Sequence, residues 1–584
     1  MIDMIEIGLD TFNAKRLTPR QVAASFVMPS SFGVLASSDH TYVIGPRGSG
    51  KTTLLRMLTG ESLVEWRGRD ASEMRSRIQF STILLPADEL WASQATPEIA
   101  RAAFTAQMLY AFVETMSYRT SGAVDVHLGV RLDPEAEADL CRSCAVAWGL
   151  EGASPGFYGL LEALDLFITR LSISPEAAEH VLAKADGLAL LTFGVRAFNR
   201  SVGEVSRKWA LLLDEMELAP VEIHRMVISF VRGGSSDLIL KISMSPFDRY
   251  MQIYGTTGAP VPGHDFQTVY LSGQSRQEIR RITNGLWREQ LRVRSLPYVS
   301  LASALNLPSS ERDSRTRLRA EKSPEDVLLE AAQVDPGVAS WMRQRGLTPE
   351  RLANLSYNER SATVRKVVPL LIFRDSLLNF RAGSPVRRSR KKSFEPFTGP
   401  TAITAMLEGN PRWIKTALAQ MLEFYDPSTG QVGPGFQYDA LSSLANRFES
   451  LLRVLPNRQT SAFSFPVVEL VDHIASYLSS RNSSQFNPDP PNSFTIDSRT
   501  PPEITNALIL GLYAGAFVHV RDRRSPAVLS SFEGQRFRLA YLLGIRDGKE
   551  FPLRLGKDVS LTSILRERVN SSPVWRDEQL DVDF

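Results

Sequence analysis

Gly45-Pro46-Arg47-Gly48-Ser49-Gly50-Lys51-Thr52 follows the short apolar run Tyr42-Val43-Ile44 and leads into Thr52–Thr59, a run of good helix formers. The stretch fits G-x-x-x-x-G-K-[ST] at every fixed position, and a strand before it with a helix after it is the context such a loop needs. Glycines let the backbone curl until its N–H groups face phosphate oxygens, and the start of the helix adds positive potential at the same spot. The loop predicts binding of a nucleoside triphosphate, with ATP and Mg²⁺ expected. Gly45, Pro46, Arg47, Gly48, Ser49, Gly50 and Thr53 would cradle the phosphates. Lys51 would reach the β and γ phosphates, and Thr52 would give its hydroxyl to Mg²⁺.

Downstream, Ile78–Leu85 reads as a second strand that stops at Pro86, and Trp209–Leu213 is a fully apolar run ending in Asp214-Glu215. A buried parallel strand that ejects an acid at its C-terminal end does so where open α/β sheets bind ligands. Asp214 is therefore the expected Mg²⁺ ligand, and Glu215 the carboxylate that orients or deprotonates an attacking water. The plainer alternative is an acidic turn after a strand. Val221–Val231 reads as a helix, Leu238–Ile242 as a strand and Phe266–Leu271 as a fifth strand. Strands alternating with helices predict a doubly wound α/β sheet. Lys51 and Asp214 stand 163 residues apart, more than a minimal phosphate-loop core needs. Residues from about 94 to 206 fill the gap with helical patterns, Phe104, Met108, Phe112 and Met116 among them, and read as an insertion.

Two further polar positions fall where a triphosphate could be sensed. Ser243 and Ser245 end the Leu238 strand, although a plain strand-to-loop transition would look the same. Gly409-Asn410-Pro411-Arg412 opens a helix, and a cation in the first turn opposes the helix dipole, which favours a binding role for Arg412 over a capping one. Leu271-Ser272-Gly273-Gln274 matches part of the signature of ABC-type ATPases but lies after the acidic strand, where that family has it before.

In this order, the elements resemble the AAA+ and STAND-type ATPases, and most of all bacterial proteins related to the origin-recognition-complex ATPases. His40 before the loop, and Leu213-Asp214-Glu215-Met216-Glu217-Leu218-Ala219-Pro220, look typical of that group. The resemblance runs to about residue 425. It implies an α/β P-loop NTPase (AAA+-like) core over 1–274 with a long helical insertion at about 94–206, a helical lid over 275–425, and a C-terminal winged-helix-like domain over 430–584. It also implies Mg²⁺-dependent ATP hydrolysis, with Lys51, Glu215 and Arg412 as catalytic residues. Ser243 or Ser245 would be sensor 1 and Arg412 sensor 2. No arginine finger stands out, Arg232 and Arg249 being candidates by position only, which leaves homo-oligomerisation open.

The remaining chain bears on partners. Between Arg276 and Glu395 there are 24 Lys/Arg and 13 Asp/Glu. The densest part is Arg387, Arg388, Arg390, Lys391 and Lys392, beside Gly383, Ser384 and Pro385, a composition that predicts a flexible exposed loop. Either this 276–395 region contacts DNA or RNA phosphates, or it is a solvated face. Further on, Phe537–Leu542 alternates before Asp547-Gly548, which predicts a hairpin, and Asn482–Pro502 reads as a loop. Helices followed by a hairpin suggest the winged helix. A separate effector protein in an antiviral-defence or signalling system is the alternative partner, since no effector motif is visible. The net charge of +3 over 584 residues names no partner, and 43% hydrophobic with 22% charged residues fits a globular chain with a substantial core. The two cysteines, Cys141 and Cys144, exclude a disulfide-built protein and read as a buried helical pair. The start of the chain lacks the features of a signal peptide. Ile504–Val520 is apolar but at the short limit for a membrane span, so a buried helix, no membrane and a cytoplasmic location are expected.

Overall fold

The computed structural model describes residues 16–92, 96–122, 128–150, 153–173, 180–247, 256, 258–306, 323–354, 356–381, 383–389, 391, 394–455, 465–522, 525–526 and 528–569. The chain divides into two compact units. The first runs to Leu271 and includes Pro526–Ser530; the second takes Ser272–Ser525 and continues from Ser531.

The first unit is built on five parallel strands: β1 Thr41–Ile44, β2 Phe80–Leu85, β3 Lys208–Leu213, β4 Leu238–Met244 and β5 Gln267–Tyr270. Their order across the sheet is β2-β3-β4-β1-β5. Both faces of β3 are apolar, so it must be covered on both sides. Ala210 and Leu212 face one core, with Phe32, Leu35, Leu55 and Trp66. Trp209 faces the other, where its ring meets Phe112 at 5.0 Å and Phe198 at 5.5 Å. Those two phenylalanines belong to the helices Pro97–Thr120 and Gly187–Ser201 of the insertion, which also holds Pro134–Trp148 and Phe157–Ile173. Phe104, Met108, Phe112 and Met116 are all fully buried, as their spacing predicts. Arg119 is buried beside them, donates to Glu204 at 2.7 Å, and stacks over Phe198 and Trp209. Cys141 and Cys144 lie buried on Pro134–Trp148, and burial pushes both thiols up to about 12.

His40 and Lys241 fasten the entry to β1 against β4. His40 Nδ1 accepts from the Leu240 N–H at 3.0 Å, so the imidazole is held neutral, and burial with Lys241 nearby pushes its pKa down to about 4. Lys241 is fully buried and donates to Ser37 O, Asp39 O and Thr41 Oγ1.

The second unit is mostly helical, with two small sheets. The ribbon β6 Leu378–Arg381 and β7 Ser384–Arg387 is antiparallel. β8 Pro491–Thr495, β9 Phe517–His519, β10 Arg536–Leu539 and β11 Lys557–Ser560 form a sheet in the order β11-β8-β10-β9. Two expectations do not hold in this unit, and a third holds in part. The stretch Asn482–Pro502 is not all loop: it contains β8, whose polar Asn492 and Ser493 are buried because they hydrogen-bond the backbone carbonyls of Pro552 and Gly556. No hairpin forms across Asp547-Gly548. β10 stops at Leu539, Tyr541–Ile545 is a 3₁₀ turn, and β10 pairs antiparallel with β9 and β8. The apolar run after Ile504 is a helix, as expected; it spans Pro502–Ala514 and ends at Gly515 (φ +91°) before the chain enters β9. No described helix is long and apolar enough to cross a membrane.

The exposed basic loop holds in part: Arg387 ends a strand, whereas Arg388, Ser389 and Lys391 lie outside any strand. Ser384–Arg387 is a strand, turned at Gly383 (φ +78°), and its cations have partners. Arg387 donates to Glu550 at 2.8 Å, Lys391 lies 3.1 Å from the same carboxylate and also bonds Asp547, and Arg388 donates to Leu378 O. Glu550 is fully buried. Arg390 and Lys392 lie outside the described residues. Replacing Arg387 and Lys391 together by Ser strands a buried carboxylate, which typically destabilises by about 3 kcal/mol or more. Chemical denaturation should show that loss, and adding Glu550→Gln should restore most of it. An unchanged midpoint in the double variant would mean that water reaches Glu550.

Candidate nucleotide site

The glycine-rich loop connects β1 to the helix Lys51–Arg56, shorter than the sequence run suggested, since the chain turns again before Gly60–Glu65. Gly48 (φ +80°) and Gly50 (φ +95°) occupy the left-handed region that side chains avoid. A Cβ on Gly45 would come within 2.5 Å of Ser49 Oγ and 2.9 Å of Leu271 Cβ. The loop is thus wound as tightly as only glycine permits. Ser49 Oγ is buried without a hydrogen-bond partner among the described residues, a donor that a phosphate oxygen would satisfy. Pro46 accepts from the Ser49 N–H, Arg47 is exposed, and Thr53 is half-buried next to Thr52.

Asp214 is the meeting point. It is buried at the end of β3, and Thr52 Oγ1 donates to its Oδ2 at 2.6 Å while Ser243 Oγ donates to its Oδ1 at 2.5 Å. Ser243 Oγ also accepts from the Glu215 N–H at 3.0 Å. One serine therefore fixes both acids relative to β4. Ser245 does not join them: its buried hydroxyl donates to Phe247 O at 2.6 Å. The Thr52 hydroxyl and Asp214 carboxylate form a hard-oxygen pair of the kind that binds Mg²⁺ alongside substrate phosphates. Together with the orphan Ser49 hydroxyl and the glycine cradle, they fit a Mg²⁺-nucleotide.

Glu215 takes the left-handed conformation (φ +54°, ψ +45°), a strained choice for a residue with a Cβ. The turn sends the chain into the 3₁₀ segment Met216–Leu218, which brings Glu217 back beneath the loop. Sequence reasoning assigned Glu217 no role. Its carboxylate lies 3.6 Å from Lys51 Nζ, and the two side chains are 6% and 7% exposed. Lys51 itself donates to Gly45 O at 2.7 Å and to Pro46 O at 3.4 Å. The signal available in the sequence was a second acid two residues after the first, which is too common in turns to single out.

The sequence model of the ORC-CDC6-like family matches residues 8–561. The chain belongs to the ORC-CDC6-like family. No match is found among curated proteins. Among solved structures, the Aeropyrum pernix ORC1 protein in complex with DNA is similar over 89% of this chain and 93% of that one, at 10% identity and a TM-score of 0.27. The five-stranded parallel sheet and phosphate loop of this ORC-CDC6-like chain are those of an AAA+ core.

The other residues singled out by sequence are more dispersed. Arg412 belongs to the second unit, in the first turn of Pro411–Glu423, whose N-terminus is capped by Asn410 Oδ1 accepting from the Arg412 and Trp413 N–H groups. Arg232 ends the helix Val221–Gly233 and donates to Gly258 O, while Arg249 lies outside the described residues. The second unit also contains a cleft of about 1060 Å³. Arg276, Arg280, Lys366 and Lys557 line it, are exposed, and make no ion pair among the described residues. Arg538 and Arg554 in its wall are paired with Glu408 and Asp489.

The two serines can be told apart by experiment. A hydrogen bond to a charged group is worth about 1.5–3 kcal/mol, so Ser243→Ala should slow ATP turnover by roughly tenfold or more. Ser245→Ala, which removes only a bond to a backbone carbonyl, should stay close to wild type. Steady-state phosphate release from both variants decides it, and the reverse order would assign the sensing role to Ser245.

Proposed function

We propose that this chain is a Mg²⁺-dependent ATPase whose nucleotide state acts as a switch on nucleic acid. The observation that carries the catalytic part is the buried Asp214, held by Thr52 from the phosphate loop and by Ser243 from β4. ATP phosphates would lie along Gly45–Thr53, with Lys51 on the β and γ phosphates. Thr52 and Asp214 would hold Mg²⁺, which when bound offsets phosphate charge. Glu215, aimed by the Ser243 bond to its N–H, orients the attacking water and accepts its proton. Arg412 would sense the γ phosphate. Lys51→Ala should abolish tight ATP binding, whereas Glu215→Gln should bind ATP and hydrolyse it at least about a hundredfold more slowly. Calorimetry and phosphate release check the two. Unchanged ATP affinity in Lys51→Ala would overturn the ATPase reading.

Nucleic acid is favoured as the partner by family membership and by the cleft cations, which remain available after the pairing of Arg387 and Lys391. If they track a phosphate backbone, Arg276→Ala with Arg280→Ala should weaken duplex DNA binding. The slope of log K against log salt should also fall by about 0.9 for each phosphate that is no longer neutralised. Fluorescence anisotropy at several salt concentrations measures both. The second reading, an antiviral-defence or signalling ATPase that controls a separate effector, gains from the internal neutralisation of the loop around Arg387. It takes over if neither DNA nor RNA binds or changes ATP turnover.

A further inference from the structure

We infer that Glu217 is a counter-ion that competes with nucleotide phosphates for Lys51, and so sets how readily the site gives up its product. The inference rests on the reading of Lys51 as the phosphate-binding lysine.

The geometry is specific. A lysine ammonium has three donors. Gly45 O and Pro46 O take two of them, and the Glu217 carboxylate lies 3.6 Å away. Neither Glu217 oxygen has a hydrogen-bond partner on another described residue, although both are buried. Asp214, three residues earlier in the same turn, is the opposite case, with donors on both oxygens. A buried carboxylate without hydrogen bonds keeps its charge only through a nearby cation. For Glu217 that cation is Lys51: burial pushes the Glu217 pKa up, and the Lys51 charge opposes the rise.

The consequence for nucleotide follows. A Lys51 ammonium turned toward phosphate oxygens leaves Glu217 without its cation, and the bound state is weakened by that amount. ATP offers the ammonium oxygens from two phosphates, β and γ. ADP lacks the γ group and draws the ammonium away less fully, so it gives up no more of the Lys51–Glu217 pairing than ATP does. Glu217 therefore weakens the hold on both nucleotides, ATP at least as much as ADP, which narrows the discrimination between them and assists release. In this role it is a positioning residue acting through Lys51; it does not touch the reacting atoms.

The test is Glu217→Gln in the full chain, with Glu217→Asp beside it. Calorimetry should show ATP binding at least about tenfold tighter in Glu217→Gln. ADP should be tightened by no more than ATP. Glu217→Asp keeps the charge and should fall between the two. The melting temperature of Glu217→Gln should not drop, because the carboxylate it replaces makes no hydrogen bond to another described residue. ATP affinity that is unchanged or weaker, or a discrimination between ATP and ADP that falls, would overturn the inference; so would a lower melting temperature accompanied by weaker binding of both nucleotides, which would mark a structural residue. If wild type itself fails to bind ATP, the ATPase reading fails first, and the two failures are distinguishable.

Discussion

The buried carboxylate of Asp214 is the constraint on which the first unit turns. An ionised group at the end of an apolar strand is tolerable only if its lone pairs are met by donors. Here Thr52 reaches it from the phosphate loop, Ser243 from β4, and the N–H of Glu215 from its own turn. These bonds come from three different segments, so the loop, β3 and β4 are fixed to one another at the point where a nucleotide would bind. The register of the sheet is consistent with this. β1 pairs with β4 over Thr41–Ile44, and its last residue, Ile44, stands opposite Met244, next to Ser243. The polar site is compact because the sheet beneath it is apolar on both faces and cannot host the same groups elsewhere.

That sheet also explains why the 94–206 segment is not an ornament. Trp209 is in the middle of the unit and five residues before Asp214, and its ring is enclosed by Phe112 and Phe198 while its Nε1 donates to Asn199. All three partners are supplied by the segment. Without them the indole would face water, and burying an aromatic of that size contributes about 3 kcal/mol or more. The helices therefore complete the hydrophobic wall behind the acidic strand. A shorter connection between β2 and β3 would need a different residue at 209.

What could be read from the sequence divides along physical lines. The phosphate loop was legible because each of its glycines answers a local backbone requirement, and β3 because a strand covered on both faces must be a continuous apolar run. The insertion helices were legible from their 3.6-residue period. The misreadings all involve groups satisfied from far away. β8 hides in a polar stretch because Asn492 and Ser493 bond carbonyls some sixty residues on. The basic loop looked unneutralised because its acids, Glu550 and Asp547, lie about 160 residues later. Asp547-Gly548 is good turn chemistry, but a hairpin also needs two strands of matching register, and Leu539 leads into a 3₁₀ turn instead. Ser243 and Ser245 were equivalent in sequence; only the strand's side-chain geometry directs one to Asp214 and the other to Phe247.

Distance to a partner also separates the charges that are fixed from those that are conditional. Arg374 with Asp335, Arg538 with Glu408, and Arg387 with Glu550 are buried or half-buried ions whose partners are protein groups. Asp214 also has donors on both oxygens, Thr52 and Ser243, of which Thr52 is the one that would share Mg²⁺ with it. Glu217 differs, because its compensation is a single lysine at 3.6 Å that nucleotide would also claim. Two acids in one turn thus differ in kind. The one is held by donors on both oxygens, and the one compensated by Lys51 alone makes its own stability a function of where that lysine points. A residue of the second kind is a poor choice for holding a fold together, and its presence beneath a phosphate loop is accounted for by coupling to the loop's lysine.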